Sequence, residues 1–331
     1  MNIILLLIGV IIVAVTNMDA LSTILRINGG SKISNFVARN VWRISVFVSR
    51  KFSRTAILSN VGALIVVTLF SLWAVLLMIG YGLIYNSYVH SIVETSTELP
   101  ASITAKFYYV GYTLTSLGNG DLKTGNDFWR IISNFTGLNG MFLLSIAISY
   151  FIPLMNAVVK QRMLATFISN LGDTPTEIIS NGWNGTDFNI LHEQFKELYP
   201  MILMQCEQQL AYPVLLYFHS ENPKYSPQLN LAKLDEALSI QEVYNIDQSD
   251  KAYIWKNLRM AMNKYLKVIK NSYSFNTEPV PDFPYKNKLP SLIRDIPKET
   301  ADYRLTNIKE RRAFIASLVK NDGWKWKEFV D

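Results

Sequence analysis

The sequence predicts an all-α membrane protein with a mostly helical soluble tail, and three observations predict it. Half of the 331 residues are apolar and only 18% are charged, too apolar for a disordered chain and too poor in charge for an ordinary soluble globule. No Asp, Glu, Lys or Arg occurs in residues 1–18, 55–93 or 131–159. A spanning helix needs about 20 mostly apolar residues, so the last two runs are long enough and the first is marginal. Downstream, Phe188–Leu198, Leu231–Val243, Lys251–Asn271 and Glu299–Val319 each carry apolar residues at i, i+3/i+4 spacing, the stripe of an amphipathic helix.

Met1–Thr16 reads either as a cleaved signal peptide or as a retained helix. It lacks a positive n-region, and the following TNMDA is a poor small-x-small cleavage site. The retained reading continues the helix toward Ile27 and stops it at Asn28-Gly29-Gly30. The net charge of +6 lies just beyond. Residues 17–58 hold seven basic groups (Arg26, Lys32, Arg39, Arg43, Arg50, Lys51, Arg54) against Asp19 alone, and the rest of the chain is balanced. Such a cluster beside apolar runs marks a cytoplasmic membrane face, not nucleic acid. It places the N-terminus outside and the basic segment inside. Ser31–Ser59 interleaves apolar and basic residues as an amphipathic helix does when it lies along anionic inner headgroups, with Trp42 at interface depth. A soluble helix packed on the tail is the other reading.

Asn60–Asn86 is a transmembrane helix, Ser87–Pro100 a short polar external loop, and Ile131–Val159 a second span that returns the chain to the cytoplasm. The tail follows, with an irregular connector at Asn276–Pro290, where prolines cluster. The chain thus divides into an N-terminal membrane helix (1–27), a basic interfacial segment (28–58), a pore domain (59–160) and a cytoplasmic helical domain (161–331). The lone Cys206 excludes an intrachain disulfide and a cysteine zinc site. His90, His192 and His219 form no ligand-spaced pair. No nucleotide fingerprint and no cluster of acids, bases or nucleophiles is present, so neither an enzyme nor a bound cofactor is expected. Nothing in the tail identifies a ligand.

Between the two spans lies Phe107-Tyr-Tyr-Val-Gly-Tyr-Thr-Leu-Thr-Ser-Leu-Gly-Asn-Gly-Asp121, too short and too polar at its end to cross a bilayer. Non-helical backbone at membrane depth is tolerated where protein buries it or where it lines a water-filled cavity. Gly118 and Gly120 take positive φ without steric cost and can turn successive carbonyls toward one axis, while Ser116 adds a hydroxyl. Rings of carbonyls that replace a cation's hydration shell are the physical basis of potassium selectivity.

Thr113-Leu-Thr-Ser-Leu-Gly-Asn-Gly-Asp121 resembles the signature Thr-x-Thr-Thr-Val-Gly-Tyr-Gly-Asp of the potassium-channel superfamily of pore-loop cation channels. The resemblance covers residues 59–160 and implies an outer helix, pore helix, filter and inner helix, to which this chain adds an N-terminal membrane helix. It implies ion coordination along Ser116, Leu117, Gly118, Asn119, Gly120 and Asp121, with potassium or sodium held at the first four. Support is expected from Tyr108, Tyr109, Tyr112 and Thr115. It also implies a homotetramer, since one pore loop cannot enclose an axis. Gly140 falls at the family's hinge-glycine spacing; with Pro153 it is expected to bend the inner helix, and Ile148 and Ile152 to close the cavity beneath. The sequence departs from the family at Asn119, where an aromatic residue normally braces the filter. Asn119 is expected to leave the filter weakly braced and to reduce preference for potassium over sodium. The alternative is a non-conducting sensor or scaffold built on a channel fold.

Overall fold

The structure, a computed structural model, describes residues 1–26, 30–52, 56–272, 278–289 and 297–330. The expected turn at Asn28-Gly29, the basic residue Arg54, and residues 276–277 and 290 of the connector lie outside the described residues. Two compact units form, residues 1–41 with 63–154, and residues 42–62 with those from 155 onward.

The first unit is built on three helices long and apolar enough to cross a membrane: α1 (Ile3–Leu25), α4 (Val61–Asn86) from residue 63 and α6 (Asp127–Leu171) up to residue 154. Residues 3–16 form the first part of α1, capped by Asn2, and α1 runs antiparallel to α4. The Asn2 amide donates to the Ser87 carbonyl at 2.6 Å, and a Cβ at Gly9 would lie 2.6 Å from the Gly80 carbonyl. Small residues let two helix backbones approach where lipid offers no hydrophobic drive. Asp19 is buried on α1. It accepts from Trp73 Nε1 of α4 at 2.7 Å, from the Ser34 hydroxyl of α2 (Lys32–Phe52) at 2.8 Å, and from the Ser31 hydroxyl. A carboxylate among apolar helices requires donors of this kind.

The expected external loop contains strand β1 (Ile92–Glu94), which pairs antiparallel with β2 (Leu122–Thr124) directly after the pore segment. The pore helix α5 (Ile103–Leu114) lies between them in sequence. A core of Leu77, Tyr81, Tyr85, Tyr109, Val110 and Trp129 joins α4, α5 and the start of α6.

The second unit contains the end of α2, the short α3 (Ala56–Ser59) and the tail helices α7 (Pro175–Gly182), α8 (Asn189–Ala211), α9 (Pro227–Tyr244), α10 (Tyr253–Ser272), α11 (Lys298–Asn321) and α12 (Lys327–Val330). All four expected tail helices are present. The first extends to Ala211 because Pro200 sits on the exposed face while Leu191, Phe195, Leu198, Ile202 and Cys206 keep the buried stripe. The expected basic segment is not a unit of its own. Asp19 ties the first turn of α2 to one unit, and Trp42 is buried against Tyr217 (ring centroids 5.4 Å apart) in the other. Trp42 is therefore not an interfacial residue, and this part of α2 packs on the tail.

Helix α9 buries charge. Every residue of α9 except Glu242 is buried, Lys233, Asp235 and Glu236 included. Burial works against the Asp235 carboxylate, but Arg311 and Arg259 outweigh it and hold the group below the usual carboxylate range. Glu236 is gripped by Arg312 through Nε at 2.7 Å and Nη2 at 3.0 Å. Ser226 caps the helix start, Pro227 follows at its first position, and Asn245 ends it in the left-handed conformation.

Candidate functional site

The pore helix begins at Ser102, whose hydroxyl accepts the Ala105 amide at 3.2 Å. It ends in a Schellman motif: the Leu117 amide donates to the Tyr112 carbonyl at 2.8 Å and the Ser116 amide to the Thr113 carbonyl at 3.1 Å. That motif requires a left-handed residue, and Ser116 supplies it with φ of 59°. Gly118 and Gly120 follow at 61° and 80°, so left-handed backbone recurs at every second residue. The glycines were legible in the sequence; Ser116 was not, because serine carries no signal for positive φ. Thr115 tightens the same turn, its hydroxyl donating to the carbonyls of Gly111 and Tyr112 at 3.0 and 3.2 Å.

The segment is held from three sides. Asn119 Nδ2 donates to the Tyr108 hydroxyl at 2.5 Å, so asparagine reaches the pore helix through one hydrogen bond. Tyr112, buried, donates its hydroxyl to the Leu122 carbonyl at 3.2 Å, and Tyr109 shares a 2.5 Å hydrogen bond with Ser133 of α6. Rings of Tyr108 and Tyr109 both meet Tyr112 edge-on, at 5.2 and 5.1 Å. On the far side, Thr95 donates through its hydroxyl to the Gly120 carbonyl at 2.9 Å and through its amide to the Asp121 carbonyl at 3.0 Å. Those two carbonyls are engaged by the loop after β1.

Thr95 was missed because sequence gives no register between a loop and a segment 25 residues away. Lys106 was missed as well, having counted only in the charge balance. It is buried, and its ammonium donates to the carbonyls of Tyr85, Tyr88 and Val89 at 3.3, 2.7 and 3.0 Å. It fastens the pore helix to the C-terminal end of α4, where free carbonyls favour a cation.

Residues 116–121 are all exposed on the single chain, Leu117 at 69%. On α6, Ser145, Ile148, Ser149, Ile152 and Asn156 are exposed on one helical face. Gly140 has a packing role. A Cβ there would lie 1.9 Å from the Leu114 carbonyl, so the glycine lets α6 press against the end of the pore helix. Pro153 sits inside α6, which continues as helix to Leu171, and the proline leaves the Ser149 carbonyl without its helical donor.

Residues 63–156 match a protein-family model described as an ion channel. Over 323 residues the chain is 29% identical to the uncharacterized membrane protein YdjJ of Bacillus subtilis (strain 168), covering 96% of this chain and 94% of that one. No solved structure matches. The family match supports an ion channel, and with the three long apolar helices it marks a membrane protein.

Proposed function

We propose that four copies of this chain surround an axis and conduct monovalent cations passively through the backbone carbonyls of Ser116, Leu117, Gly118 and Asn119. The observation that carries the reading is the left-handed backbone at 116, 118 and 120. A sign of φ that alternates residue by residue is the pattern that turns consecutive carbonyls to one side, and a single exposed strand of this kind needs other copies to close a ring. The face of Ile148 and Ile152 on α6 lines the cavity below and closes it by dewetting, with Pro153 as the point of bending and the tail as the gating or tethering element. Residues 26–58 and 161–331 face the cytoplasm, a reading supported by the charge excess between the first two spans. Potassium is preferred over sodium, weakly, because asparagine replaces an aromatic ring with one hydrogen bond per subunit.

The test is cation flux through the purified full-length protein in liposomes, with bi-ionic reversal potentials for potassium against sodium. The expected result is a cation current with a small potassium preference. Absence of any cation flux overturns conduction and favours a sensor or scaffold.

A further inference from the structure

Helix α2 presents three faces. Ser34, Ala38, Trp42, Ser45 and Ser49, at steps of four, four, three and four, are buried. Lys32, Arg39 and Arg43 are exposed on a second face. Ile33, Phe36, Ile44 and Phe47 share the third, and they are 40%, 62%, 63% and 67% exposed. An amphipathic helix on a water-soluble surface turns its large apolar side chains inward; α2 turns Trp42 inward with Ala38 and three serines but leaves Ile33, Phe36, Ile44 and Phe47 out. Anchoring is not lacking, because the first turn is bonded to Asp19 and Trp42 is packed on Tyr217.

The charge of the segment selects what covers that face. Seven basic residues against one acidic residue lie in 17–58. A second copy of α2 would bring the same positive charge against it, and the tail is balanced. An apolar stripe flanked by arginines fits a surface that is anionic at headgroup level and apolar beneath. We infer that α2 is a docking helix for anionic phospholipid, with Phe36 and Phe47 entering the acyl region and Arg39 and Arg43 held at the headgroups. This docking stands independently of whether the chain conducts.

The test uses the full-length Phe47→Cys protein labelled with bimane. Background from Cys206 is low, since that thiol is buried and burial pushes it up to about 11. The labelled protein is reconstituted in phosphatidylcholine vesicles containing brominated phosphatidylcholine or, at equal mole fraction, brominated phosphatidylglycerol. Both lipids should quench, and the phosphatidylglycerol should do so with a higher relative binding constant. Arg39→Gln and Arg43→Gln should each reduce that preference ~5-fold while quenching by phosphatidylcholine persists. Added salt should weaken the preference in the same direction. Equal quenching by the two lipids overturns the anionic assignment. No quenching by either, at Phe47→Cys and again at Phe36→Cys, shows that protein covers the face and overturns the inference entirely.

Discussion

The two units bury their contents in opposite ways. Over most of their length the membrane helices carry no ionised side chain, and glycines leave room for close approach, as at Gly9 against Gly80 and Gly140 against Leu114. The tail's most buried helix, α9, instead carries Lys233, Asp235 and Glu236 among its leucines. Lipid makes the difference intelligible. A surface surrounded by hydrocarbon gains nothing by hiding its apolar side chains, so contact is won by close approach of backbones. In water, the apolar stripes of α8, α10 and α11 drive collapse, and the carboxylates of α9 are tolerated because arginines from α10 and α11 meet them, while Lys233 donates to the Gly172 carbonyl at 3.2 Å. Close approach and ion pairing should therefore fail under different substitutions, and the comparison can be broken or sharpened one unit at a time.

The largest effect is expected in the tail. Arg312 grips Glu236 with two nitrogens and also donates to the Pro281 and Asp282 carbonyls at 2.8 and 2.9 Å. Arg312→Met leaves the Glu236 carboxylate buried and uncompensated, a loss of about 3–5 kcal/mol. Denaturant unfolding of the full-length protein in detergent should show an earlier tail transition. The double variant Glu236→Met/Arg312→Met should recover most of the loss. An unchanged transition in the single variant would show that water reaches the pair.

A smaller effect is expected in the pore unit. Gly140→Ala puts a methyl group against the Leu114 carbonyl, an overpacking cost of about 1–3 kcal/mol. Because Leu114 ends the pore helix, the strain is delivered next to Ser116. Thermal stability of the assembled protein should fall and the potassium-to-sodium reversal potential should move. Gly137→Ala should do much less, since a Cβ there meets nothing nearer than 3.6 Å. Altered gating with an unmoved reversal potential would restore Gly140 to the hinge role its spacing suggests.

What was legible in the sequence follows the same division. What is set by composition, by a repeating stripe or by a glycine was readable: the charge-free spans, the four amphipathic tail helices, and the positive φ at Gly118 and Gly120. What depends on partners distant in sequence was not. The positions of Trp42 on Tyr217, Thr95 on Gly120, Lys106 on the end of α4 and Asp235 between two arginines are set by tertiary register, which no local pattern encodes. Asn119 belongs to both classes. Its departure from the resembled family was visible, while its hydrogen bond to Tyr108 depends on how the strand returns past the pore helix.

That hydrogen bond gives the smallest effect and the most direct test of how the proposed filter is held. Tyr108 is partly exposed and its ring meets Tyr112 edge-on, so Tyr108→Phe keeps the ring and removes only the oxygen that accepts Asn119 Nδ2. One hydrogen bond of this kind contributes about 1 kcal/mol, and 1.4 kcal/mol corresponds to a tenfold change in an equilibrium constant. If the bond restrains the carbonyls of Leu117 to Asn119 against relaxing around the smaller ion, its loss should lower the potassium-to-sodium permeability ratio by about fivefold, with little change in protein stability. Asn119→Ala should give the same ratio, and combining it with Tyr108→Phe should add nothing further, because both remove a single interaction. Bi-ionic reversal potentials on the three variants decide it. Additive losses would mean that Asn119 and Tyr108 act on the filter separately.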